Sequence, residues 1–172
     1  MPSTIRGGDN FDSGQRLTST ASQSSTSGTS VDFTGIPNWA KRITVLLKDV
    51  STTGASPVQI QIGSGSVQTT SYTSEAQQGG TVAAYTSGFG IEQASAAAYS
   101  RSGVVSICLI GANSYVQSGV VAVANTYVFT SGSGVSLSGG GVSLSGALDR
   151  IRVTTVNGTD TFDGGAITVL YE

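Results

Sequence analysis

The sequence predicts an all-β fold: an antiparallel, jelly-roll-like β-sandwich over residues 29–172, behind an extended N-terminal arm over residues 1–28. Its 172 residues include 27 serines, 21 threonines and 24 glycines, whereas charged residues make up only 10% of the chain. This composition withholds the Ala, Leu, Glu, Lys and Arg that favour helices, and it supplies residues that pack on a pleat or open positive φ at turns. Short apolar runs with a period of two recur between Gly, Ser, Thr and Asn clusters, which is the pattern of strands and turns. A mass of 17.3 kDa fits one domain.

Residues 1–28 are polar and have almost no large apolar side chain to bury. Such a segment cannot offset its own ordering entropy, so it reads as an arm that is loose or ordered by a neighbour. As an attachment peptide its anchors are Ile5, Phe11 and Leu17. The texture changes at Val31. In AKRITVLLKDVS (40–51), Ile43, Val45 and Leu47 fall on one face of a strand, and Arg42, Thr44, Leu46 and Lys48 on the other. PVQIQIG supplies a second strand at Val58 to Ile62, and the Ser-Thr-Thr-Gly-Ala-Ser linker between the two predicts a hairpin. Further strands are expected in SVQTTSYT (66–73), GFGIEQ (88–93), GVVSICLIG (103–111), SYVQSGVVAVA (114–124), NTYVFTS (125–131), DRIRVTTV (149–156) and AITVLYE (166–172). That density of short strands suits a sandwich or jelly roll. EQASAAAYSR (92–101) is the one helix-compatible window, although Gly and Ser flank it.

GVSLSG at 134–139 returns at 141–146, and Gly139, Gly140 and Gly141 between the copies predict a hairpin. Read as one face of a projecting ribbon, Val135, Leu137, Val142 and Leu144 become candidates for contact with a symmetry mate or ligand.

The chain has no histidine, which excludes imidazole bases, His-ligated metals and Ser-His-Asp or Cys-His hydrolases. The single cysteine, Cys108, cannot form an internal disulfide or a Cys-based zinc site, and its apolar surroundings predict a small buried hydrophobe. A net charge of −2 with scattered basic residues predicts no nucleic-acid partner. No apolar run approaches the ~20 residues that span a bilayer, so no membrane insertion is expected. The N-terminus lacks a signal-peptide core, which predicts synthesis and release in a cytoplasm. Glycosidases need two carboxylates across a sugar cleft, and no acid pair here is interleaved with Trp and Tyr; neither an enzyme nor a cofactor is expected.

Asp-x-Phe-Asp-x-Gly occurs twice, at Asp9 to Gly14 and at Asp160 to Gly165. Closely spaced Asp oxygens around glycine can bind a hard cation, but neither copy has the ligand pattern of an EF-hand. Asx-turns with a buried Phe explain both copies, and no metal is expected at Asp160 and Asp163. Asn157-Gly158-Thr159 reads as a turn between two strands rather than a glycosylation site, and Trp39 as a core plug at a strand entrance. In a carbohydrate-binding module, Tyr72, Tyr85, Tyr99 and Tyr115 would be the residues that stack on sugars.

SVDFTGIPNWAKRITVLLKDVSTTG (30–54), PVQIQIGSG with TSYTS (57–74) and LDRIRVTTVNGTDTFDGGAITVLYE (148–172) together resemble a β-sandwich module of tailed-bacteriophage virion proteins, most often found at tail-fibre C-termini. The resemblance covers roughly residues 30–172 and carries no catalytic or binding residues. Unlike long tail fibres, the sequence has only a short arm before the module. The resemblance implies a non-enzymatic virion structural protein at the virion surface, assembled in the host cytoplasm. It would be a short fibre or tail-fibre-like component held by its arm to other virion proteins of the tail, portal-proximal region or capsid, and contacting host surface polysaccharide. A homotrimer is expected from the fibre class. The alternatives are a capsid decoration (cement) protein and a carbohydrate-binding module.

Overall fold

In the computed structural model, residues 17–125 and 134–172 are described. Among them the regular structure is entirely strand: β1 (Thr18–Ser19), β2 (Gln23–Ser24), β3 (Ser30–Thr34), β4 (Arg42–Thr52), β5 (Val58–Ser64), β6 (Ser66–Val67), β7 (Thr73–Gln78), β8 (Thr81–Tyr85), β9 (Phe89–Gly90), β10 (Tyr99–Gly111), β11 (Ser114–Asn125), β12 (Gly134–Ser143), β13 (Arg150–Thr155) and β14 (Phe162–Tyr171). The larger sheet runs β1-β14-β4-β10-β11-β12-β7-β8, with β2 also on β14. The smaller runs β3-β13-β5-β6, with β9 on β5. All pairings are antiparallel and the two sheets pack together, so the predicted β-sandwich stands.

The core follows from the alternation. Ile43 and Val45 of β4, Val105 and Ile107 of β10, and Val121 of β11 turn inward from the larger sheet. They share one cluster with Ile60 and Ile62 of β5 and Ile151 and Val153 of β13. Each such side chain stabilises the fold by about 1.5–3 kcal/mol through burial.

Several connections differ from expectation. β4 and β5 are not a hairpin: Thr53 to Pro57 carries the chain from the larger sheet to the smaller, and β4 pairs with β10 and β14 instead. The Asn157-Gly158 turn likewise crosses between sheets, from β13 to β14. The helix-compatible window holds a turn, closed by Tyr99 N–H donating to Ala96 O, before β10 begins. In 66–73 strand forms only at Ser66–Val67 and again from Thr73, and the strand expected at 125–131 lies outside the described residues beyond Asn125.

The GVSLSG repeat is not a hairpin either. The first copy and Gly141 to Ser143 of the second form the single strand β12, paired to β11 on one side and, over Ser136 to Gly141, to β7 on the other. The repeat spacing of seven is odd, and side chains seven apart on one strand face opposite ways. Val135 and Leu137 are therefore exposed, whereas Val142 and Leu144 are buried. Gly140 fits because a Cβ there would lie 2.6 Å from Thr73 O on the neighbouring strand.

Candidate interaction surface

The described end of the arm lies along β14. Thr18 and Ser19 pair with Tyr171 and Leu170, and Gln23 and Ser24 with Ile167 and Ala166. Thr20 N–H donates to Val169 O at 2.8 Å, and the buried Ser25 hydroxyl donates to Gly164 O at 2.8 Å. Residues 17–28 are thus tied to the sandwich by backbone pairing that needs no apolar anchor. Leu17 is 62% exposed, and Ile5 and Phe11 lie outside the described residues, as does the first Asp-x-Phe-Asp-x-Gly copy.

Trp39 is not a core plug. Ala40 N–H donates to Pro37 O, closing a turn that puts Trp39 at an outer corner. Its ring is half exposed and rests on Tyr171 at 5.7 Å, tilted by 55°. Beside it Glu172 forms an ion pair with Arg42. Leu17, Trp39 and the last residues of β14 therefore share one end of the body.

The outward face of the larger sheet carries an apolar row. Val104 is paired with Leu46 and Val120, Val120 with Leu137, Leu137 with Gln77, and Gln77 with Val82. Val104, Val120, Leu137 and Val82 are each roughly half exposed. The side-chain-free Gly139 and Gly140 leave a groove of about 480 Å³ beside Leu137, Val82 and Glu75. Cys108 lies on this outward side, partly buried between Arg42 and Val116, rather than in the core.

Several of the described ionisable groups serve the fold. Glu92 and Arg101 are fully buried, with Arg101 Nε donating to both carboxylate oxygens at 2.9 Å. Val58 N–H also donates to Glu92 at 2.8 Å, and Arg101 bonds Tyr99 O and the Ser95 hydroxyl. Asp32 pairs with Arg152, Asp149 with Arg150, and Asp163 accepts from the Ser51 hydroxyl. Phe162 is buried beneath the second Asp-x-Phe-Asp-x-Gly copy. Asp160 accepts from Asn157 Nδ2 at 2.7 Å and from Ser56 N–H at 2.9 Å, while Asn157 Oδ1 accepts from the N–H groups of Thr159 and Asp160. These are the Asx-type bonds expected there, and they join the two turns that cross between sheets.

The Asn157 amide and the Ser56 N–H hold the Asp160 carboxyl below its ordinary range. A depressed folded pKa gives stability above the unfolded value of about 4, lost as pH falls through the folded one. Asp160→Asn should therefore lower the urea midpoint at pH 7, with the gap from wild type closing toward pH 2. A gap constant over that range would contradict the assignment.

The tyrosines do not form a stacking platform. Tyr72, Tyr85 and Tyr115 are buried and Tyr99 is partly so. Tyr72 Oη accepts from Ile62 N–H at 2.8 Å, Tyr115 Oη accepts from Leu148 N–H at 2.9 Å, and Tyr85 donates to Glu92 O. Burial pushes the Tyr72 and Tyr85 hydroxyls up to about 12.

No protein-family model, curated protein or solved structure matches the chain.

Proposed function

We propose that this chain is a non-enzymatic structural protein of a bacteriophage virion, a short fibre or tail-fibre-like surface component that assembles as a homotrimer. The segment resemblance over residues 30–172 motivates the class. The non-enzymatic reading is supported by the absence of histidine and by the carboxylates engaged in ion pairs and turns. The observation that carries the attachment role is the arm laid along β14, which sets residue 17 at a fixed edge beside Trp39 and Tyr171. Residues 1–16, with Ile5 and Phe11, are then the attachment peptide, and the body is what it presents to other virion proteins and to host surface glycans.

The test is a deletion placed by the structure. Removing residues 1–28 would strip β1, β2 and Ser25 from β14 and confound attachment with folding. Removing residues 1–16 should leave the thermal unfolding midpoint within about 2 °C of wild type and abolish incorporation into particles. Normal loading of the shortened protein would refute the attachment role.

A further inference from the structure

On β12 the usual arrangement is reversed. Val135 and Leu137 are 53% exposed, whereas Ser136 between them is wholly buried and its hydroxyl finds no hydrogen-bond partner among the described residues. Ser74 of β7 and Gln117 of β11 also turn inward, each with a buried side-chain oxygen lacking a partner among the described residues. Sliding β12 by one residue would exchange its faces, burying Val135 and Leu137 but turning Val142 out to solvent. Each orphaned polar atom costs about 1–3 kcal/mol, and the register that buries Val142 leaves Val135 and Leu137 half exposed on the outer face.

The row from Leu46 to Val82 crosses the strands from β4 to β8. At about 4.8 Å per strand and 3.3 Å per residue, its band between Val116 and Ala122 measures roughly 24 by 20 Å, or about 500 Å² of face. In a closed trimer each chain divides that face between two neighbours, so the three chains together bury roughly 1,500 Å². The flanks differ in charge: β4 carries exposed Lys48, beside Arg42 that is already paired with Glu172, and β7 carries exposed Glu75. Rotating one copy onto another about an axis parallel to the strands brings the basic flank of each toward the acidic flank of the next. The groove at the side-chain-free Gly139 and Gly140 allows close approach.

We infer that the outward face of the larger sheet, centred on Val104, Val120 and Leu137, is the surface through which copies of this chain associate. The inference deepens the oligomer of the proposed function by naming its contact. Its failure is separable, because solution mass is read without particles whereas attachment is read by particle loading.

Light scattering on the full chain at tens of micromolar should give about three times the 17.3 kDa chain mass. Val120→Asp with Leu137→Asp should reduce it to one chain mass with an unchanged circular dichroism spectrum. A monomeric wild type, or a doubly substituted protein that keeps the wild-type mass, would overturn the inference. If aspartate unfolds the sheet, the milder Val120→Thr with Leu137→Ser decides. Folded single chains support the assignment, while retained mass or unfolding refutes it, the latter because outward positions must accept polar groups.

Discussion

Replacing Arg101 by leucine should destabilise the fold by about 3–5 kcal/mol, because it removes one partner of a fully buried ion pair and leaves the other in place. For a chain of this length that is a fall in melting temperature of roughly 6–20 °C. Glu92 would keep the Val58 N–H as a donor but lose both bonds from Arg101 Nε. Burial already pushes the Glu92 carboxyl above its ordinary range, with Arg101 pulling it back. Without Arg101, burial acts with less opposition and the acid protonates in the folded chain more readily than in the unfolded one. A raised folded pKa gives stability that is present below the unfolded value and lost as pH rises through the folded one. The variant should therefore be more stable near pH 5 than near pH 8. Replacing both residues with Leu removes the unpaired charge and should recover much of the loss. Urea titrations at the two pH values check this, and an Arg101→Leu effect under about 1 kcal/mol would show that the pair is solvated.

The strands were legible because the period of two survives in the sequence, as in Ile43, Val45 and Leu47. Their assignment to sheets was not, since a Ser/Thr/Gly linker has the same chemistry whether it closes a hairpin or crosses a sandwich; only the partners of β4 distinguish the two. The inward face of β10 and β11 was hidden for a related reason. Val104 and Val105, and Val120 and Val121, put apolar residues on both sides, and the sequence does not say which side meets the smaller sheet. Two signals were present and missed. Gln-Gln-Gly-Gly-Thr-Val holds the β7–β8 hairpin, whose Gly79 and Gly80 both have positive φ, and the odd spacing of the GVSLSG repeat already forbids one shared face on a single strand. The Glu92–Arg101 pair gave no local signal at all. The residues are nine apart in an alanine-rich window, and the tertiary fold alone buries them against Val58 and Tyr99.

Gly165→Ala should be comparably damaging, by about 2–6 kcal/mol, since it combines backbone strain with overpacking. Gly165 has φ +90°, and a Cβ there would lie 2.4 Å from Asp49 O. Asp49 itself has φ +54°, and the register slips nearby in both the β4–β14 and β4–β10 pairings, so two bulged strands meet here backbone to backbone. Asp49 is held by Ser102, whose hydroxyl accepts from Asp49 N–H at 2.9 Å, so it cannot easily retreat from an added methyl. The carbonyl of Gly165 also accepts from Ser25 N–H at 3.0 Å, which couples the bulge to the arm. The substitution should therefore speed hydrogen exchange at Ser25 as well as lower the urea midpoint. Gly158→Ala is the control. It too has positive φ, +69°, but open space where the Cβ would go, so strain alone should cost about 1 kcal/mol. Equal effects at the two glycines would mean that conformation, not the approach of Asp49, sets the requirement at Gly165.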